Sequence, residues 1–90
     1  MTYKELAHAL PSMSPKEVLD AIRGLEDIVF ISVDMAGKVC GLGGNTIRLQ
    51  AREDRITGRD MLGFSCLVAK SRVLVNRKSF LEYVDKEAKP

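Results

Sequence analysis

The stretch "SMSPKEVLDAIRGLEDIVFISV", residues 12–33, decides the fold class because its hydrophobic pattern changes period within it. Ser14, Pro15 and Glu17 are typical of a helix start, with an N-cap, a proline at the first helical position and the acidic partner of a capping box. Apolar residues then recur at helical spacing, at Val18, Leu19, Ile22 and Leu25. The helix is therefore predicted to end near Asp27, and the β-branched, aromatic run after it predicts a strand.

Shorter patterns on both sides complete the first half of the chain. Thr2 and Glu5 form a second capping box, which predicts a first helix that ends at Pro11. The apolar runs "IVFISV" and "KVCGL" flank "DMAG" at 34–37, whose glycine suits a tight turn. We therefore expect a hairpin over residues 28–42.

The second half predicts strands and one more helix. "TIRLQAR" at 46–52 alternates apolar and polar residues as a half-buried strand does. One helical turn is expected at 59–62, followed by an apolar strand pair, "SCLVA" and "RVLV", and then by a terminal helix capped by Asn76. Residues 1–90 are thus predicted to form a single α+β domain with two N-terminal helices, antiparallel hairpins and a C-terminal helix.

Composition indicates an ordinary globular protein. The chain has 90 residues, of which 46% are hydrophobic and 29% charged, with a net charge of +2. Its apolar runs are too short to cross a bilayer, and its N-terminus lacks the apolar core of a signal peptide. Cys40 and Cys66 are expected to be separate thiols in a reducing compartment. A cytoplasmic protein without a membrane role is therefore expected.

Catalytic and cofactor-binding patterns are weak in this chain. His8 is the single histidine and lies in the first predicted helix, where a solvated residue is more common than a catalytic base. The two cysteines are too far apart in sequence to indicate a zinc site. "GLGGN" at 41–45 matches neither a dinucleotide-binding fingerprint nor a P-loop. We therefore expect no enzyme activity, no metal and no cofactor.

Positive charge is concentrated in the second half. Residues 46–90 hold ten basic and six acidic side chains, whereas residues 1–45 hold four basic and six acidic ones. A polyanion is therefore expected to meet the second half first. The predicted phosphate contacts are basic side chains of that half: Arg48, Arg52, Arg55, Arg59, Lys70, Arg72, Arg77 and Lys78.

The segment "RLQAREDRITGRD", residues 48–60, carries four of these arginines at steps of four, three and four. On one helix that spacing would place all four on one face. The alternation of Ile47, Leu49 and Ala51 favours a strand instead. The arginines are therefore expected to form a curved, distributed patch rather than a single stripe.

Two helices with a tight connection, followed by a hairpin, are the layout of the winged helix-turn-helix superfamily, which residues 2–42 resemble. In this resemblance Leu6 and Ala7 pack in the first helix, Ser14 opens the second, and residues 28–42 form the wing. The resemblance implies DNA binding, with base-edge candidates at the start of the second helix: Ser14, Lys16, Asp20 and Arg23. The alternative is an amphipathic helix pair that only packs on the sheet.

Residues 47–75, "IRLQAREDRITGRDMLGFSCLVAKSRVLV", resemble the swapped-hairpin DNA-binding family of AbrB type. In that family a strand, a charged turn, a short helix and two further strands intertwine between protomers. The resemblance implies a dimer whose corresponding strand, turn and short-helix positions are Arg48, Arg52, Arg55, Arg59, Leu62 and Gly63. Gly58 stands where a proline usually opens the short helix.

The function expected from these patterns is a small, dimeric, DNA-binding transcriptional regulator that performs no chemistry. Its basic second half would hold the phosphate backbone of duplex DNA. The alternative is a protein-binding adaptor or small inhibitor without a nucleic-acid role. Such a protein would present the exposed side of the 28–42 hairpin, or an unpaired strand edge, to its partner.

Overall fold

A computed structural model describes residues 1–88 and has the α+β architecture that the sequence predicts. Within those residues, the chain forms five α-helices and a three-stranded antiparallel sheet. The elements in chain order are α1 (Tyr3–Ala9), a 3₁₀ turn (Leu10–Ser12), α2 (Pro15–Arg23), β1 (Phe30–Ser32), α3 (Val33–Cys40), α4 (Gly44–Thr57), β2 (Cys66–Val68), β3 (Val73–Asn76) and α5 (Arg77–Ala88).

The two predicted capping boxes are present and start α1 and α2. The Thr2 hydroxyl accepts a hydrogen bond from the Glu5 amide (3.2 Å), and the Glu5 carboxylate accepts one from the Thr2 amide (2.9 Å). Ser14 and Glu17 repeat this geometry at the start of α2. Local side-chain chemistry therefore fixes where both helices begin.

The predicted hairpin over residues 28–42 is wrong, because most of that segment is helix α3. The Ser32 hydroxyl accepts a hydrogen bond from the Met35 amide (3.1 Å) and so caps a new helix after three strand residues. Val33, Ala36 and Gly37 lie on the buried face of that helix at helical spacing. Gly41 then ends it in the left-handed conformation, at φ 76°.

The predicted strand at 46–52 is also wrong, because these residues lie within α4. Ile47 and Ala51, four positions apart, are buried, whereas Leu49 between them is 61% exposed. The alternation that favours a strand therefore arises from one buried helical pair and one apolar residue on the solvent side. The helix ends at Gly58, which has φ 73°.

The predicted helical turn at 59–62 is replaced by a bend that α4 itself holds in place. One oxygen of the Asp54 carboxylate accepts hydrogen bonds from the amides of Met61 (3.0 Å) and Leu62 (3.2 Å). The other oxygen accepts from the Gln50 side chain (2.9 Å). These three bonds satisfy backbone and side-chain donors without a further helix.

The final predicted elements are confirmed. β2 and β3 form the expected hairpin, and the Asn76 side-chain oxygen accepts a hydrogen bond from the Ser79 amide (2.8 Å) at the start of α5. β3 is the central strand of the sheet and pairs antiparallel with both neighbours, so the spatial order is β1-β3-β2. The register opposes Ile31 to Val75, and Leu67 to Leu74.

One face of the sheet carries the core. Its largest fully buried side chains come from all five helices or from strands β1 and β3: Phe80, Leu6, Ile22, Ile31, Met35, Ile47, Val18 and Val75. Phe64 packs edge-to-face on Phe80, with ring centroids 5.1 Å apart. Burial of each such side chain is worth about 1.5–3 kcal/mol. The core therefore fixes α4 against the sheet through Ile47.

Two glycines let α3 and α4 approach closely. A Cβ atom at Gly37 would overlap the carbonyl oxygen of Leu42, in the three-residue connection between the helices. A Cβ atom at Gly44 would overlap the carboxylate of Asp34. The Leu42 amide also donates to the Gly37 carbonyl (3.0 Å). This tight junction sets the direction in which α4 leaves α3.

Candidate nucleic-acid interface

Helix α4 exposes one long face to solvent. Opposite the buried side formed by Ile47 and Ala51, the helical period places Asn45, Leu49, Arg52, Glu53 and Ile56, which we call the solvent face of α4. Ile56 is 85% exposed and Leu49 61%. The predicted strand places Leu49 on its buried side, and the predicted contact residues include neither Asn45 nor Ile56.

Three of the four arginines of residues 48–60 belong to this helix. Arg48, Arg52 and Arg55 lie on or beside the solvent face, so the helical spacing seen in the sequence describes their arrangement better than the predicted strand does. Arg59 is exposed and follows the helix end at Gly58. The four side chains therefore form a helical row of three with a fourth in the next loop.

Arg52 and Arg55 connect α4 to the end of strand β2. The Nη1 atom of Arg52 donates to the Ala69 carbonyl oxygen (3.1 Å), and the Nη1 atom of Arg55 donates to the Val68 carbonyl oxygen. β2 is an edge strand, so the Val68 carbonyl group has no strand partner on its outer side, and Ala69 lies just beyond the end of the strand. A guanidinium group has five N–H donors, which leaves each arginine able to meet a further anion.

The tip of the β2–β3 hairpin lies next to this pair of arginines. We define the hairpin tip as residues 69–72, where the Ala69 amide donates to the Arg72 carbonyl oxygen (2.8 Å). Lys70 and Arg72 are both exposed there. The solvent face of α4 and the hairpin tip thus present four basic side chains around one edge of the sheet: Arg52, Arg55, Lys70 and Arg72.

A shallow groove of about 590 Å³ lies between the second half of α4 and strand β2. Arg55 and Arg59 line it, and so do Asp54 and Asp60. The Asp54 carboxylate is already occupied by its three hydrogen bonds, and Asp60 accepts one from the Gly63 amide (3.1 Å). With two cations and two carboxylates the groove is balanced in charge, so it is not a separate anion pocket.

Two basic residues in the predicted set hold the fold together. Arg77 donates from Nε to the Ile22 carbonyl oxygen (2.8 Å) and from Nη2 to the Arg23 carbonyl oxygen (2.7 Å), which caps the C-terminus of α2. Arg23 in turn pairs with Asp85 of α5 at 2.6 Å. Both side chains are therefore engaged with protein groups on the α2–α5 side.

The remaining predicted residues lie on other elements. Lys16 is exposed in the first turn of α2, and Lys78 is exposed in the first turn of α5. Ser14 is occupied as the N-cap of α2, and Asp20 is exposed on the same helix. None of these four lies on α4 or on the hairpin tip, so the structure does not gather the whole predicted set at one surface.

Both cysteine thiols are free and half-buried. Burial raises the pKa of the Cys66 thiol to about 11, helped by the charges of Asp54 and Asp60, and burial also raises the pKa of Cys40. Both groups are therefore protonated thiols at neutral pH rather than nucleophiles. Within residues 1–88, no group of three or more histidine, cysteine or acidic side chains is placed to hold a metal ion.

None of the helices within residues 1–88 combines the length and the apolar character that a bilayer span requires.

No family model matches this chain, and neither a curated protein nor a solved structure does. The chain's own residues are therefore the basis of a functional assignment.

Proposed function

We propose that this chain is a small, non-enzymatic DNA-binding regulator of transcription of the winged helix-turn-helix type. Its helix pair is α3 and α4 rather than α1 and α2, and its wing is the β2–β3 hairpin rather than residues 28–42. The order of elements supports this proposal, since two helices joined by a three-residue, glycine-containing turn are followed by a hairpin. In DNA-binding helix pairs the second helix lies in the major groove.

The observation that carries the proposal is the basic surface shared by α4 and the hairpin tip. Arg52 and Arg55 hold the two elements side by side, so one molecule of duplex DNA can meet both at once. Residues 44–72 hold six basic side chains against three acidic ones, and the Asp54 carboxylate among the latter is internally bonded. Such an excess favours phosphate over an acidic or neutral surface.

The roles within this surface follow from position. α4 is narrow enough to enter a major groove about 12 Å wide, with its solvent face toward the bases. Arg48, Arg59, Lys70 and Arg72 lie at the ends and flanks, where they meet phosphates. Lys16, Arg23, Arg77 and Lys78 lie on α2 and α5, and we assign them no contact with bases or phosphates.

The protein is further proposed to act in the cytoplasm as a homodimer. A single helix in the groove covers one half-site, and helix-turn-helix proteins gain affinity by binding two half-sites as dimers. The AbrB-type resemblance of residues 47–75 requires a strand at residues where α4 is helical, so the proposal rests on the winged-helix arrangement alone.

Two charge-matched double variants test the proposal. Arg48→Ala with Arg72→Ala removes one cation from α4 and one from the hairpin tip, whereas Lys4→Ala with Lys86→Ala removes two exposed cations from α1 and α5. Binding to a mixed pool of duplex DNA is measured by fluorescence anisotropy over a range of salt concentrations. The first pair is expected to reduce the slope of log affinity against log salt by about two, since each phosphate contact contributes about one.

The control pair is expected to leave that slope nearly unchanged. If both double variants reduced the salt slope equally, only the net charge of the protein would matter. That result would contradict the assignment of the DNA contact to α4 and the hairpin tip. If the wild-type chain is not retained on duplex DNA even at low salt, the DNA-binding proposal fails, and an adaptor or inhibitor that binds protein becomes the better account.

A further inference from the structure

The solvent face of α4 carries large apolar side chains among its cations. Leu49 and Ile56 are among the most exposed large hydrophobic residues in the part of the chain that the structure describes. Both lie on the helix that holds Arg48, Arg52 and Arg55. Leu49 is not part of the core, and its position next to polar and basic groups suits a partner that is apolar at one point and anionic around it.

Leu49 has a polar neighbour one helical turn earlier. Asn45 lies four residues before Leu49 on the same face and is exposed. The Nη1 atom of Arg48 donates to the Asn45 side-chain oxygen at 3.4 Å, which orients the amide. The Asn45 oxygen keeps a second lone pair, and its NH₂ group keeps its donors, so the amide can still form a bidentate pair.

The bases of an A·T pair offer the matching groups in the major groove. Adenine presents an acceptor (N7) and a donor (N6), which an asparagine side chain pairs bidentately. Thymine presents a C5-methyl group, which is the apolar feature of the major-groove edge. Asn45 and Leu49 are in the first half of α4, and the N-terminal part of a recognition helix is the part that reaches base edges.

We infer that α4 reads adenine and thymine bases, with Asn45 pairing an adenine and Leu49 contacting a thymine methyl group within one or two base pairs of it. This inference rests on the proposed DNA-binding function. The two side chains are about 6 Å apart along the helix axis, which corresponds to about two base-pair steps. Ile56 lies about 10.5 Å beyond Leu49 in the last turn, outside the part of the helix that reaches the bases.

The experiment begins with selection of bound duplexes from a random library by the full-length chain. On the selected site, each thymine is replaced in turn by uracil, which removes only the C5-methyl group. Affinity is measured for the wild type, for Leu49→Ala and for Ile56→Ala, which removes a more exposed apolar side chain from the same face. In a second series, single A·T pairs of the selected site are replaced by other base pairs. The resulting change in affinity is compared between the wild type and Asn45→Ala.

At one thymine of the selected site, the C5-methyl group is expected to contribute to binding affinity through its contact with Leu49. At that position uracil should weaken wild-type binding about three- to fivefold, the value of a buried methyl group, and should not weaken binding by Leu49→Ala. The Ile56→Ala variant should keep the wild-type response to uracil. Asn45→Ala should lose about tenfold or more of its preference for adenine at a position within one or two base pairs of that thymine.

Two results would overturn this inference while leaving the proposed function intact. The first is salt-dependent DNA binding whose selected sites show no preference for A·T pairs. The second is a uracil response that is the same in the wild type and in Leu49→Ala, which would assign Leu49 to a protein contact or to no contact. Absence of any duplex binding would instead reject the proposed function itself.

Discussion

At the residue scale, arginines that look alike in the sequence have different tasks in the structure. Arg52 and Arg55 bind carbonyl groups at the end of β2, Arg77 binds carbonyl groups at the end of α2, and Arg23 pairs with Asp85. A count of basic residues identifies all of them as anion-binding candidates. The groups that they meet depend on tertiary contacts between residues 13 to 62 positions apart, so spacing in the sequence does not reveal them.

Gly37 gives the sharpest prediction at this scale. Gly37→Ala places a Cβ atom against the Leu42 carbonyl group in the α3–α4 connection, and it should lower the free energy of unfolding by about 1–3 kcal/mol. Urea unfolding followed by circular dichroism measures the change. Gly24→Ala is the matched control, because a Cβ atom there meets its nearest neighbours only at 3.5 Å or more.

Gly24→Ala should be neutral or slightly stabilising, since alanine restricts the unfolded chain more than glycine does. Equal destabilisation by the two alanine variants would show that the close packing of α3 on its connection to α4 is not what requires glycine at position 37.

Arg77 gives a prediction that separates stability from binding. Arg77→Ala removes the cap from two carbonyl groups at the end of α2, so the free energy of unfolding should fall by about 1–3 kcal/mol. The salt slope of DNA binding should stay unchanged, because Arg77 meets no phosphate in our account. Lys78→Ala, its exposed neighbour, should change neither quantity. A large loss of salt dependence in Arg77→Ala would place α5 in the DNA interface.

At the element scale, the sequence was sufficient where a helix or strand carries its own start signal. The capping boxes of α1 and α2, the β2–β3 hairpin and the cap of α5 are all local features, and all are confirmed. The helices α3 and α4 were missed because short alternating runs fit a strand and a helix equally well. Burial decides between them, and burial depends on what the rest of the chain packs against.

Signals for the two missed helices were nevertheless present. Ser32 stands three residues before Met35 as an N-cap, and Gly41 and Gly58 each take the left-handed conformation that ends a helix. The arginine steps of four, three and four were a helical pattern as well. Such start and end signals indicate α3 and α4 and, with them, most of the candidate interface. The bonds from Arg52 and Arg55 to β2 would still have been missed.

The capping box of α2 predicts a pH dependence. Hydrogen bonds from the backbone and side chain of Ser14 lower the pKa of Glu17 in the folded chain. A lowered folded pKa gives stability that is present above the unfolded pKa of about 4.3 and is lost as pH falls through the folded value. Glu17→Gln should therefore be less stable than the wild type at pH 7, and the difference should be smaller at pH 3.

Unfolding in urea at the two pH values measures this effect. Glu26→Gln, which removes an exposed carboxylate outside any capping box, serves as the control and should show no such convergence. A difference between Glu17→Gln and the wild type that stays constant from pH 7 to pH 3 would contradict the role assigned to the carboxylate.

At the scale of the whole molecule, charge and topology point to the same surface. The acidic excess lies in residues 1–45 and the basic excess in residues 46–90, and the fold places α4 and the hairpin tip of the basic half side by side. Neither the composition nor the order of elements would assign a function alone. Together they support a surface that combines a helix suited to the major groove with flanking phosphate contacts.

The central claim is that α4 and the hairpin tip, rather than α1 and α2, contact duplex DNA. The most direct test is a titration of the ¹⁵N-labelled full-length chain with a short duplex, followed by amide chemical shifts. We predict that the shifts which change are concentrated in residues 44–57 and 69–72, and that they fade as salt is raised. Changes concentrated in residues 3–23, or no change at low salt, would contradict the account.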